Sequence, residues 1–296
     1  MRVAMISKYQ LFCILLLSRL SSEIVFPQTG GFSGTGFAVL LTAEGIRLLL
    51  ALPLFVYSAK GRNVYASVAK KSRILSILMA FIAAFSALFL GTRTVFFTAE
   101  YAQRTIITGM SAAVIAVLIA AFAVYIAVKG AEALSRAGVL FLVAAGIVTL
   151  AIVLSDIPHM RMREIGGADL SESFWYHVME QLLHGGEYLI FAALLPFVKE
   201  GGCGTMLLFS LCSVVGVVLI GVFSMSVLGE FYGIAEYPFT AAAELADITM
   251  FKRLDGFAGA IWMLGAAFRA GLLACAAYNS VNAVLDIGRT KERSGA

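Results

Sequence analysis

Apolar residues run along this chain in long blocks, and short stretches between them collect most of the polar side chains. Eight blocks stand out: Tyr9–Val25, Gly36–Ser58, Ile74–Ala99, Ile106–Val128, Leu134–Leu154, Phe174–Val198, Cys203–Leu228 and Gly256–Val284. A helix needs about 20 mostly apolar residues, within roughly 17–25, to cross the hydrocarbon layer of a bilayer. The pattern predicts an all-α, polytopic membrane helix bundle of about eight transmembrane helices. It forms a single membrane domain over residues 1–296, with no soluble domain inserted. The first block follows Arg2 and Lys8, as the apolar core of a signal peptide would. It contains Arg19, runs past Leu20 and lacks a small-residue cleavage pattern, so it reads as a retained helix.

Composition agrees. Sixty per cent of the residues are hydrophobic and 14% are charged, against roughly 45–50% and about 25% in soluble domains. The net charge of +4 is small, and nothing in its distribution points to nucleic acid. With the N-terminus inside, 13 Lys and Arg fall in cytoplasmic segments and five in outer ones. This bias predicts that both termini are cytoplasmic. The four cysteines each lie in an apolar block without C-x-x-C spacing and read as packed thiols. No phosphate loop or cofactor fingerprint is present, so neither a cofactor nor an enzymatic role is expected. In the long outer connection, Phe239–Phe251 alternates apolar and acidic residues in a helix-like way. It reads either as a short helix over the outer mouth or as a solvated loop helix.

Charges inside the apolar blocks are the candidate chemistry, because they are costly in the bilayer and mark functional positions. Four arginines (Arg19, Arg47, Arg93, Arg269) and four glutamates (Glu23, Glu44, Glu180, Glu187) balance in number. Arg19 and Glu23 are four apart and Glu44 and Arg47 three apart, so each pair shares a helix face. By position, Arg19, Arg47, Glu187 and Arg269 lie closest to the midplane. At ~1.5 Å rise per residue, Arg93 and Glu180 sit about 10 Å nearer the outer side. Two readings stand together: neutralised pairs that lock helices, and a cavity that holds a zwitterionic or anionic solute.

The sixth block is the most informative. Gly185 and Gly186 fall at its centre, beside His184 and Glu187. A glycine pair weakens a helix there, and exposed backbone at that depth must line protein or a cavity. Broken helices at the midplane bind solutes in secondary transporters. Ser18, Ser21 and Ser22 give the first block a weaker parallel, without glycine. The ligand-binding candidates are Ser21, Ser22, Glu23, His184, Gly185, Gly186, Glu187 and Arg269; Arg19, Glu44, Arg47, Arg93 and Glu180 complete an intramembrane charge network. His177, Glu180, His184 and Glu187 also share one helical face, but the spacing is not a metal-site motif, and polar lining is the preferred reading.

Three stretches resemble the endospore germination permeases, the B subunits of nutrient germinant receptors within the amino acid/polyamine/organocation transporter superfamily. The first is Y-x4-G-x-E-x3-R, carried by Tyr125, Gly130, Glu132 and Arg136. The second runs from His184 to Pro196. The third comprises Tyr237 and Pro238, then Lys252, Arg253, Leu254 and Asp255, then Trp262 and Arg269. The resemblance implies two inverted five-helix repeats with helices one and six discontinuous around a central site. It further implies a small amino-acid-like nutrient as ligand, an A subunit and a lipoprotein C subunit as partners, and the cytoplasmic membrane or spore inner membrane as location. The chain ends after the eighth block, so the expected fold is this 5+5 arrangement without its last two helices. Nutrient sensing with partners is the leading expectation. A stand-alone proton- or cation-coupled amino-acid transporter is the alternative, and a metal-dependent membrane enzyme using His177 and His184 is a third.

Overall fold

The computed structural model describes residues 6–27, 34–59, 64–70, 72–160, 174–198, 203–246 and 254–294. In chain order the helices are α1 (Lys8–Val25), α2 (Gly34–Ala59), α3 (Val64–Ala69), α4 (Arg73–Thr105), α5 (Ala112–Lys129) and α6 (Ala131–Asp156). They continue with α7 (Phe174–His184), α8 (Glu187–Leu194), α9 (Cys203–Leu228), α10 (Pro238–Leu245) and α11 (Leu254–Ser294). Among the described residues there is no β-sheet, only an isolated bridge between Ile6 and Val198. The chain is an all-α polytopic membrane bundle.

Among the described residues, five segments are long and apolar enough to cross a membrane: Arg73–Thr105, Ala112–Lys129, Ala131–His159, Gly204–Gly233 and Gly256–Ala283. The other three expected crossings correspond to α1, α2 and the pair α7–α8, which hold Arg19, Glu23, Glu44, Arg47 and Glu187. The apolar window of α11 is 72% buried, whereas those of α4, α5 and α6 are 17–22% buried. Thus α11 is the central helix, packed against α4, α5, α6, α1 and α8. Residues such as Ile82, Phe85 and Leu88 on α4 and Leu118 on α5 are exposed, as a lipid-facing surface requires.

Local chemistry explains the departures from the sequence pattern. The fourth crossing begins at Ala112 rather than Ile106, because Ile106–Met110 form turns and Ser111 takes the extended cap position. The polar stretch before α4 contains the unforeseen helix α3, whose Tyr65 hydroxyl lies 3.0 Å from Ser280 Oγ on α11. Helix α10 covers Pro238–Leu245, shorter than the expected Phe239–Phe251; residues 247–251 lie outside the described set. Phe239, Thr240, Ala242 and Ala243 are buried against the bundle, while Glu244 and Leu245 at the end of the helix are exposed. At the start of α1, the Ile6 N–H donates to Phe197 O at 2.9 Å, tying that end to the exit of α8.

Candidate functional site

The expected break in the sixth crossing is present. Helix α7 stops at His184, α8 starts at Glu187, and Gly185 and Gly186 join them. Close approach explains both glycines. A Cβ on Gly185 would stand 2.6 Å from Arg47 Nε, and one on Gly186 would meet Leu90 and Leu273 at 3.2 Å and Arg269 Nη2 at 3.4 Å. The bare backbone makes room for two arginine side chains.

Those arginines perform a capping role. The last carbonyls of a helix have no partner within it, and a cation near them is favoured by the helix dipole. Arg47, from α2, donates to the Gln181 carbonyl. Arg269, from α11, donates to the His184 carbonyl at 2.6 Å. At the opposing N-terminus of α8, the Gly186 N–H donates to Glu187 Oε2 at 2.9 Å.

The same groups belong to a buried ionic cluster. Arg269 Nη1 lies 2.7 Å from Glu187 Oε1 and also donates to the Ser18 carbonyl at 3.1 Å. The Ser18 hydroxyl donates to the same Glu187 oxygen at 3.1 Å. Arg19 bridges Glu23 at 2.9 Å and Glu44 at 3.0 Å, and Glu44 also pairs with Arg47. Gln181 Nε2 donates to Glu23 at 3.2 Å. Three arginines therefore face three carboxylates, and the cluster links α1, α2, α7, α8 and α11 with no formal excess charge. Pairing and hydrogen bonding at every charge make such burial tolerable.

Some polar capacity is unused. Arg47 Nε, Arg269 Nε, Gln181 Oε1 and both ring nitrogens of His184 are buried and have no hydrogen-bond partner among the described residues. The His184 ring meets Phe26 edge-on at 5.2 Å; Phe26 also packs on Phe97 and under the Arg269 guanidinium, 5.5 Å from its ring centroid. On the other side, a cavity of about 440 Å³ reaches the break between α2, α3, α4 and α8. Arg47, Gly185 and Gly186 border it, and Leu50, Leu54, Met79, Ile82 and Leu189 give it an apolar wall.

Of the sequence candidates, Glu23, His184, Gly185, Gly186, Glu187 and Arg269 gather around the break, together with Arg19, Glu44 and Arg47. The first helix is not broken: α1 is continuous, contrary to what the resemblance implies. Its hydroxyls fold back, Ser21 donating to Leu17 O and Ser22 to Arg19 O, each at 2.7 Å, and Ser22 Oγ also accepts from Arg19 Nη1 of the cluster at 3.4 Å. Without glycine, these serines are accommodated inside the helix rather than replacing its bonds. Arg93 and Glu180 stand outside the cluster. The Arg93 guanidinium lies over the Phe97 ring at 4.9 Å, and Glu180 is 3.8 Å from His177 Nδ1. Because the break resets the helical register, Glu187 leaves the face shared by His177, Glu180 and His184. Among the described residues no group of three or more His, Cys, Asp or Glu is placed to hold a metal. Gln181 and Phe26 were not foreseen; Gln181 carried a signal, as a lone amide in an apolar block.

The remaining motif residues are architectural. Gly130 has φ +86°, a conformation for which glycine is suited, and alone links α5 to α6. Glu132 and Arg136 pair on the exposed first turns of α6, and Lys129 Nζ lies over the exposed Tyr125 ring. Tyr237 and Pro238 start α10; the Tyr237 ring packs edge-on against Tyr101, and burial pushes its phenol above its usual range. Trp262 is buried in the core. Arg253 and the Asp255 side chain lie outside the described residues. Comparison of the chain with protein-family models and with curated proteins finds no match.

Proposed function

We propose that this chain is a spore germination permease-like membrane subunit that binds a small amino-acid-like nutrient at the broken helix and signals with partner subunits. The observation that carries the reading is a neutral, buried ionic cluster at a helix break that opens onto an apolar-walled cavity. A zwitterion adds no net charge to three arginines and three carboxylates. Its carboxylate would meet Arg47, which borders the cavity, and an apolar side chain would fill the space between Leu54, Ile82 and Leu189.

The cluster also suggests how binding is transmitted. Arg47 and Arg269 hold the end of α7 from two different helices. A ligand carboxylate that competes for either guanidinium loosens one grip and shifts the population toward another arrangement. In this reading the chain crosses the membrane eight times, both termini are cytoplasmic, and the partners are an A subunit and a lipoprotein C subunit in the cytoplasmic or spore inner membrane. The charge bias of 13 to five supports that orientation.

The test uses Glu187→Ala and Arg269→Ala in spores, at normal expression level. Reduced response to nutrient germinants is expected, and an unchanged response would sink the site assignment. The second reading, a stand-alone coupled transporter, draws on the buried Glu187, a carboxylate placed at the break where a proton would be carried. Labelled amino acids accumulating in proteoliposomes that contain this protein alone would favour it over signalling.

A further inference from the structure

The cavity at the broken helix runs well past its polar end. Leu90 of α4 packs at the level of Gly186, where an added Cβ would meet it at 3.2 Å. Ile82, on the cavity wall, lies two turns earlier in the same helix. At ~1.5 Å rise per residue, Ile82 stands about 12 Å from Leu90 along α4. On the facing wall, Leu54 lies about 10 Å beyond Arg47 along α2 by the same rise. Leu189 of α8 adds a third apolar side.

The far part of this cavity faces lipid. Its two long walls belong to helices with different partners: α2 packs on α7 and α9, and α4 on α11 and α5. Leu50 and Ile82, one on each wall, are 73% and 54% exposed. Their neighbours continue the same apolar surface, Leu49 and Leu52 on α2 and Phe81 and Phe85 on α4, all of them exposed. Such a surface inside a crossing segment meets acyl chains. A ligand side chain that outgrows the cavity therefore passes into hydrocarbon rather than against a wall.

We propose that the site selects neutral amino acids by the apolar length of the side chain and sets no upper limit on that length. The α-carboxylate stays at Arg47, and an unbranched alkyl chain runs between Leu54 and Ile82 toward the bilayer. This inference rests on the amino-acid reading of the broken helix and names its ligand class. Each methylene leaves water whether it ends in the cavity or in lipid, so affinity rises about fourfold per methylene. A closed pocket behaves differently, because affinity falls once the chain overpacks it. A polar tip of similar length loses its water among apolar side chains and binds more weakly.

The experiment uses the full chain in nanodiscs and measures displacement of labelled norleucine, with free concentrations corrected for partition into empty nanodiscs. Norvaline should bind about fourfold more weakly than norleucine, and 2-aminooctanoate about tenfold or more tightly. The longer 2-aminodecanoate should bind no more weakly than 2-aminooctanoate. Glutamine, close to norleucine in size, should be at least about tenfold weaker. Ile82→Gln sets an amide on the path of the chain; it should weaken 2-aminooctanoate at least about fivefold and norvaline less than about twofold. Norvaline binding checks that this variant is folded, and the series in the unaltered protein decides alone if it is not. An optimum at norleucine, a loss at 2-aminodecanoate, or 2-aminooctanoate binding unmoved by Ile82→Gln overturns this inference and leaves the nutrient reading standing. So does saturable binding of alanine without binding of norleucine. No saturable binding of any amino acid overturns both.

Discussion

Removing the Arg269 guanidinium tests whether the ionic cluster holds the broken helix together. Arg269 is fully buried and makes three bonds: to Glu187 at 2.7 Å, to Ser18 O at 3.1 Å and to His184 O at 2.6 Å. Arg269→Met keeps much of the side-chain volume but leaves the Glu187 carboxylate buried with only the Ser18 hydroxyl and the Gly186 N–H. It also orphans the His184 carbonyl at the end of α7. Breaking one partner of a buried pair costs about 3–5 kcal/mol. With about 2–4 °C per kcal/mol for large domains, the apparent unfolding temperature should fall by about 6–20 °C. Glu187→Gln keeps an acceptor oxygen while stranding the arginine charge, and should cost about 1.5–3 kcal/mol. The double variant removes both charges, so its loss should be smaller than the sum by at least about 1.5 kcal/mol. Thermal unfolding followed by fluorescence in one detergent gives all four corners of the cycle. Additivity within about 0.5 kcal/mol would refute the argument that these groups act as a pair.

Other substitutions probe neighbouring features. Gly185→Ala places a methyl 2.6 Å from Arg47 Nε and should cost about 1–3 kcal/mol; in the Arg47→Met background the penalty should disappear, and its persistence would mean the clash lies elsewhere. Gly130→Ala, at φ +86°, should lower stability by about 1–3 kcal/mol by thermal unfolding, without altering ligand response. The double change Ser21→Ala with Ser22→Ala should cost under about 1 kcal/mol, because both hydroxyls donate to their own helix. A large loss of nutrient response in that variant would return these serines to the site.

The bundle was legible because bilayer crossing imposes a length and an apolarity that few other constraints override. The break was legible for a related reason: two glycines beside His184 and Glu187 are conspicuous in an apolar block. What periodicity does not carry is which arginine caps which carbonyl. That depends on α2 and α11 converging on one turn of α7, a tertiary relation between residues up to 134 positions apart. The serines of α1 misled for a physical reason, since hydroxyls fold back onto a helix as readily as they open one. Arg93 and Glu180 were grouped with the cluster by charge alone, but Arg93 lies over the Phe97 ring and Glu180 beside His177. The cavity is a product of helix packing and leaves no mark on a single sequence.

Equilibrium binding of labelled amino acids to the purified protein in nanodiscs tests the central claim most directly, with Leu54→Trp as the companion variant. Leu54 borders the cavity beside Gly185 and Gly186, so a tryptophan there occupies the solute's space while leaving the ionic cluster intact. The account predicts saturable binding of at least one neutral amino acid, lost in Leu54→Trp at unchanged unfolding temperature. Absence of saturable binding by any amino acid, or binding that survives Leu54→Trp, would contradict it.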